Sequence, residues 1–585
     1  MDNRRLFLFA ALIFVAFLIY QAWMHDYGPK TAAPEAQTTS SPAASSVASA
    51  PAPEIPTAPN AATSTSVTSK TPAAAASASG AVTIPKGQEI HVGTDVLDVI
   101  INTAGGDIQQ AELLKYPEEL KKPELVKVLN SNAAELLIAQ SGLQTHSGPM
   151  APTHEALYTA AQTQYDLAPD QKTLAVTLTW KDQRALKVQK TYTFTRGSYQ
   201  IGMAYNIHNG SSEPWSGAEY TQLENYYNMQ ESHGFMGGLF SVQRYDYQRM
   251  AMHDGGGYHQ FEFKDLTEKP VNVTTPDGWI GVVNHYFLAA AIPEDQNPSQ
   301  GTTAKPIENL YYTRVLGNEH YLVGTITSLK TVSPGGNVTF ADKFYIGPKL
   351  QTHLAQVAPG LELTVDYGKL TIIAEPIFKL LNYIHRFIGN WGWSILVLTL
   401  LFKLLFYPLN QISGRSMAKM RRVQPRLKAL QERYKDEKQR LGQATMEFYK
   451  KEKINPMGGC LPMLVQMPIF FALYYVLVYS VELRQSPWLG WIHDLSAPDP
   501  YYILPVVYGV VMFIQQRISP QPTTDKMQQR IMMVMPLGIA VLYAVLPSGL
   551  ALYYVANSVL TIIQQWRINH VVGVDDRKHA AKEKK

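Results

Sequence analysis

Lys403 lies inside a run of 20 residues, Trp391 to Asn410, that is otherwise almost wholly apolar. An ionised side chain in hydrocarbon costs on the order of 2.5–3.5 kcal/mol on insertion scales, so it must find a protein interior, water or the membrane surface. Other apolar runs nearby carry polar groups of their own. Gln466 interrupts one, between Pro462 and Pro468; Gln515 and Gln516 close another; Tyr553, Tyr554, Asn557 and Ser558 break the last. Thr399 stands four residues before Lys403, which on a helix is the same face. A bundle of such segments would shelter a polar, water-accessible and positively charged pocket. Plainer roles remain open for the same residues. Amides and hydroxyls join helices within membranes, and seven residues from Lys403 to Asn410 is about 10 Å of helix, within partial reach of the surface for a snorkelling lysine.

The chemistry absent from this set narrows the function. No nucleophile stands with a base, and no Gly-x-Ser-x-Gly or Walker-A pattern occurs. His154-Glu155-Ala-Leu-Tyr158 opens like a zinc-protease helix but lacks the second histidine. No Asp or Glu interrupts the apolar runs, which removes the carboxylate relay of an ion-coupled transporter, and no inverted repeat is discernible. The one cysteine, Cys460, allows no disulfide within the chain, so an exported domain would be held by its core alone. Nothing calls for a cofactor or metal, and the reading is not an enzyme.

The elements that must position these residues follow from patterning across 585 residues of 46% hydrophobic content and net charge +4. Leu6 to Tyr20 is uncharged, follows Arg4 and Arg5, and is followed by bulky Trp23 rather than a small-residue cleavage site. Residues 1–27 therefore read as an uncleaved membrane anchor. Residues 28–85, rich in Ala, Pro, Ser and Thr, cannot bury a core and read as a disordered tether. Residues 86–366 alternate with period two. Leu174, Val176, Leu178 and Trp180 form one such run, Tyr192 and Phe194 another, and Tyr199 to Ile207 a third after the Arg196-Gly197-Ser198 turn. That spacing predicts a large antiparallel two-sheet domain. The aromatic residues Tyr226, Tyr227, Tyr245 and Tyr247 suit a strand face or a ligand groove.

Residues 367–389 place Ile373, Ile377, Leu381, Ile384 and Ile388 on one helical face, with Pro376 expected in the first turn, and predict an amphipathic helix lying on the membrane. Residues 390–410 read as a transmembrane helix carrying Lys403. Residues 411–459 hold 13 Lys/Arg against 5 Asp/Glu and read as a cytoplasmic helical hairpin with its tip at Lys435-Asp436-Glu437 and a bend at Pro425. Met417, Met420, Leu427 and Leu430 form its apolar seam, and Arg421 and Arg422 part of its basic face. Residues 460–568 supply four more spans, the last two joined by Pro547-Ser548-Gly549, and residues 569–585 form a basic tail. Six spans with both termini in the cytoplasm put the exported domain and the hairpin on the sides their charge requires.

Across this framework Asn390-Trp-Gly-Trp-Ser, Asn455-Pro-Met-Gly-Gly-Cys-Leu-Pro, Gln466-Met-Pro-Ile-Phe, Trp491-Ile-His-Asp-Leu-Ser and Pro547-Ser-Gly-Leu-Ala-Leu-Tyr-Tyr resemble the YidC membrane protein insertase family of Gram-negative bacteria. The resemblance implies a periplasmic β-supersandwich and a five-helix core, which with the anchor makes six spans. It implies a positively charged groove open to the cytoplasm and to lipid, built around Lys403, Thr399, Gln466, Tyr553, Tyr554 and Asn557. The family is expected to carry arginine where Lys403 stands; lysine keeps the charge and loses the bidentate fork. Implied partners are nascent membrane proteins, the Sec translocon, the ribosome through the hairpin and tail, and the bilayer. The alternative reading is a small-solute transporter or channel with an exported sensing domain; a membrane-anchored carbohydrate enzyme is a third, for which no His and Glu pair can be assigned.

Overall fold

The computed structural model describes residues 87–583, apart from 121, 183–185, 228–247, 295–307, 318, 435–436, 453–460 and 519–525. The expected anchor and tether, Tyr245, Tyr247 and Cys460 lie outside the described residues. Among the described residues the period-two segments form two sheets, of eleven and nine strands, packed face to face. Among these described strands pairing is antiparallel except where Gln164–Asp166 runs parallel to Glu89–Gly93. The Arg196-Gly197-Ser198 turn joins strands Leu186–Thr195 and Gln200–Asn209, with Ile201 opposite Phe194 and Tyr205 opposite Lys190. Gly197 takes φ +72°, a left-handed conformation glycine adopts without a Cβ penalty. Alternation sends Val188, Lys190, Tyr192 and Phe194 inward with Ile201, Met203, Tyr205 and Ile207.

Ten α-helices occur among the described residues: α1 (Phe263–Glu268), α2 (Gln351–Val357), α3 (Thr371–Ile388), α4 (Trp391–Leu405), α5 (Tyr407–Arg433), α6 (Lys438–Lys451), α7 (Leu461–Tyr479), α8 (Ile503–Ile518), α9 (Lys526–Tyr543) and α10 (Ser548–Glu583). Helix α3 buries Ala374, Ile377, Phe378, Leu381 and Ile384 against α7 and α4, and leaves Ile372, Tyr383 and Phe387 exposed. It ends at Gly389, φ +72°, whose N–H donates to the His385 carbonyl at 2.7 Å. Pro376 falls in the second turn rather than the first, because the helix starts at Thr371.

One further expectation needs correction. The Trp391–Asn410 run is not one straight helix: α4 and the start of α5 meet at Phe406 with a 60° bend. Pro408 has no N–H to continue the ladder and disfavours helical backbone at the residue before it, so the chain turns there. Lys403 therefore lies in the last turn of α4. Helix α5 then continues through Pro425, so the end of the Trp391–Asn410 run and the first arm of the expected hairpin share one helix. The basic tail continues α10 to Glu583. By length and hydropathy no single described helix is a span on its own; α4 with Tyr407–Gly414 qualifies as a bent pair, and Leu464–Tyr479, Ile503–Ile518 and Arg530–Tyr543 are shorter apolar stretches.

The sheets and the bundle meet at a polar seam. His285 Nε2 donates to the Val478 carbonyl at 2.7 Å, and its ring stacks on Tyr479 at 4.6 Å. Arg484 donates to the Glu118 carbonyl at 2.9 Å and lies over the Phe287 ring at 5.6 Å; Gln485 donates to the Pro117 carbonyl at 2.9 Å. Glu482 Oε1 accepts from the Gln351 N–H at 3.2 Å, while Oε2 is buried without a hydrogen-bond partner among the described residues. Burial pushes the Glu482 carboxyl up to about 7, its own N–H and that of Gln351 offsetting only part, and burial draws His285 down to about 4.

The two groups act with opposite sign. The docked state holds the Glu482 proton more tightly than the free carboxyl of 4.5, so its support fades as pH rises from 4.5 through about 7; His285 supports docking when neutral, and its support fades as pH falls from 6.5 through about 4. The seam is expected to be nearly insensitive to pH where the windows overlap. Glu482→Gln should loosen it on acidification, and His285→Gln on going alkaline. Hydrogen-exchange protection of residues 480–486 reads both, and a Glu482→Gln seam equally protected at pH 4.5 and 6.5 would contradict the assignment.

Candidate functional site

Helix α4 is fixed at its start by its N-cap. The Asn390 side chain accepts from the Trp393 N–H at 3.2 Å and donates to the Pro487 carbonyl at 3.1 Å. Trp391 stacks on His385, ring centroids 3.9 Å apart, which sets the angle between α3 and α4. Gly392 lies flat under Trp488, where any Cβ would overlap the indole. Ile395 and Leu398 are buried, while Val397, Leu400, Leu401, Leu404 and Leu405 face outward. That outward face is the one a membrane would cover.

At the other end of α4 a small cleft opens between α4, the bend, α5, α7 and α10. Phe402, Lys403, Phe406, Asn410, Gln466, Ile469, Tyr553 and Asn557 are among the residues that line it. Lys403 is its one charged lining residue among those described. Its ammonium donates to Thr561 Oγ1 at 2.7 Å, and the Thr561 hydroxyl donates in turn to the Asn557 carbonyl at 2.6 Å. No carboxylate among the described residues pairs with it. Tyr553, Asn557 and Thr561 form a polar ladder at four-residue spacing on α10.

Next to Tyr553, and outside the cleft's lining, lies a layer of rings. Tyr554 meets Phe470 and Tyr543 at 5.4 Å each and Tyr508 at 5.9 Å, and Tyr508 meets Tyr543 at 4.7 Å. Seven residues of α10 separate Tyr554 from Thr561, about 10 Å along the axis. The layer lies on the Ser548 side, where α10 is pinned by Ser548 Oγ donating to the Asp494 carbonyl at 2.7 Å.

Comparison with known proteins gives this arrangement its context. Residues 383–575 match the family model of the 60Kd inner membrane protein, and residues 89–380 that of the YidC periplasmic domain. A Membrane protein insertase YidC from Nitrosococcus oceani is 44% identical over 580 residues, covering 98% of this chain and 99% of that one. One from Pseudomonas putida is 41% identical over 587 residues, covering 99% and 100%. The chain belongs to the YidC membrane protein insertase family. Among solved structures, an active YidC insertase with its first transmembrane domain resolved aligns over 82% of this chain and 92% of its own, at 17% identity and TM-score 0.38. A galactose mutarotase-like protein from Lactobacillus casei aligns over 44% and 99%, at 10% identity and TM-score 0.30.

Of the residues marked in this insertase-family sequence, Lys403, Gln466, Tyr553 and Asn557 come together at the cleft. Thr399 does not join them. It is 1% exposed and its hydroxyl donates to the Ile395 carbonyl at 2.7 Å, so its polar atom is turned back into α4. Tyr554 stands in the ring layer and not on the cleft wall. In the hairpin, Met420 and Leu427 are buried, Met420 and Val423 packing against Phe448 and Tyr449 of α6; Met417 and Leu430 are half-buried. The side chains of Arg421 and Arg422 lie outside those described. An exposed ion pair, Arg426 to Glu452 at 3.2 Å, spans the two arms. Thr561 was missed in the sequence, although Asn557 plus one helical turn leads to it.

Proposed function

We propose that this chain inserts and folds integral membrane proteins in the inner membrane, using the Lys403 cleft as the entry for substrate segments. The observation that carries the reading is a cation among largely apolar helices whose one hydrogen bond among the described residues is to Thr561, beside amides and hydroxyls from α7 and α10. Lysine has three donors, so two remain to meet a polar or acidic segment. A polar tail held in the cleft crosses a shorter apolar path, which lowers its desolvation barrier. The apolar segment then moves sideways over the exposed Leu and Val side chains into lipid, with burial at about 25 cal/mol per Å² supplying the drive and no nucleotide required.

In this reading the chain has six spans with both termini cytoplasmic. Residues 1–27 are the anchor, 28–85 the tether, 86–366 the periplasmic domain, 367–389 the interfacial helix, 390–410 the second span, 411–459 the cytoplasmic hairpin, 460–568 the remaining spans and 569–585 the tail. The hairpin and basic tail receive chains from the ribosome, and the protein works alone or beside the Sec translocon. The test is insertion by the purified full chain in liposomes. A single-span substrate should yield a protease-protected fragment at least several-fold above that in empty liposomes, without nucleotide. A yield equal to empty liposomes would overturn the reading.

A further inference from the structure

Resting on that reading, we propose that Thr561 is the positioning residue of the cleft's charge: it holds the Lys403 ammonium against α10, where an acidic segment entering the cleft meets it. Three routes are open to a lysine in the last turn of α4. It can lie back toward the carbonyl end of its own helix, extend toward the membrane surface past Asn410, or cross to a neighbouring helix. Its 2.7 Å bond to Thr561 takes the third route.

Thr561 is suited to this by how its own proton is spent. A hydroxyl has one proton and two lone pairs. The proton goes to the Asn557 carbonyl at 2.6 Å, which leaves the oxygen facing Lys403 as an acceptor only. Branching at Cβ restricts rotation of the side chain, so the acceptor does not swing away. Asn557 lines the cleft one turn away, and Lys403 has no carboxylate partner among the described residues. The ammonium is thus oriented by a neutral group without being neutralised. An acidic partner at the same place would quench the field; an apolar one would release the side chain to snorkel.

The experiment compares insertion by the full-length protein in liposomes of two single-span substrates that differ only in an acidic or a neutral translocated tail. The readout is the ratio of their rates for the parent, Thr561→Val, Thr561→Ser and Lys403→Ala, each at matched reconstituted amounts. The ratio should fall about threefold or more in Thr561→Val, toward the Lys403→Ala value, while Thr561→Ser keeps it within twofold of the parent. A fall of both rates together in Thr561→Val, with the ratio kept, would reduce Thr561 to helix packing and overturn the proposal. So would an unchanged ratio in Thr561→Val while it collapses in Lys403→Ala. An unchanged ratio in Lys403→Ala would instead remove the charge-based reading of the cleft, and the proposal with it.

Discussion

Lys403→Ala is expected to lower insertion of a single-span substrate with an acidic translocated tail about tenfold, and Lys403→Arg to keep it within about twofold. Tenfold is about 1.4 kcal/mol, a modest demand on a cation in a half-dry cleft, where two unit charges 4 Å apart interact by about 4 kcal/mol at an effective dielectric of 20. Arginine conserves the charge and changes the donor geometry, so retention in Lys403→Arg would mark a role for the positive charge and not for the ammonium's own donor arrangement. Initial insertion rates into liposomes measure both. Unimpaired insertion by Lys403→Ala would leave Lys403 a residue that merely satisfies itself on Thr561. A basic tail should show the opposite preference, in keeping with retention of Lys/Arg on the cytoplasmic side.

The second large effect concerns the β unit. Lys190→Met is expected to destabilise it by about 3–5 kcal/mol, the usual consequence of removing one partner from a buried ion pair. Lys190 is fully buried between the sheets; its ammonium donates to the Gly105 carbonyl at 2.9 Å, lies 3.9 Å from Asp107 Oδ1, and is enclosed by the rings of Tyr192 at 5.3 Å, Tyr205 at 5.4 Å and Tyr158 at 5.9 Å. Burial pushes the Asp107 carboxyl up and draws Lys190 down, each charge partly restoring the other. Without the cation, Asp107 and the buried Glu219 are left sharing the interior. Adding Asp107→Asn to Lys190→Met should recover more than half the loss, because a neutral amide is far less costly to bury than a carboxylate. Urea unfolding of the full-length protein, followed through the β signal, measures both variants. A loss below about 1 kcal/mol in Lys190→Met would contradict the account.

Lys190 also shows what sequence reading reached and where it stopped. Tyr192 and Phe194 mark the inward phase of their strand, and two steps back along that phase stands Lys190. The pattern gave the strand, the turn at Gly197 and the partner strand, but hydropathy alone treats a lysine as a surface residue. The cleft was legible for a similar reason and to a similar depth. Polar residues in apolar runs are conspicuous, so Lys403, Gln466, Tyr553 and Asn557 stood out; which of them share one cleft depends on helix rotation, and Thr399 rotated into packing. The bend at Phe406 was written in Pro408, whose effect was outweighed by the apolar length around it. The seam was out of reach, since His285 and Val478 are separated by 193 positions and neither is unusual alone.

The most direct test of the central claim is photocrosslinking from Gln466 and Asn557 in the cleft, and from Val506 on the exposed face of α8, to a stalled nascent single-span protein. The account predicts adducts at Gln466 and Asn557, lost when the stalled chain is released, and a much weaker yield at Val506. Equal yields at all three positions, or adducts at Val506 alone, would mean that substrates pass along the lipid-facing surface and that the Lys403 cleft is not their path.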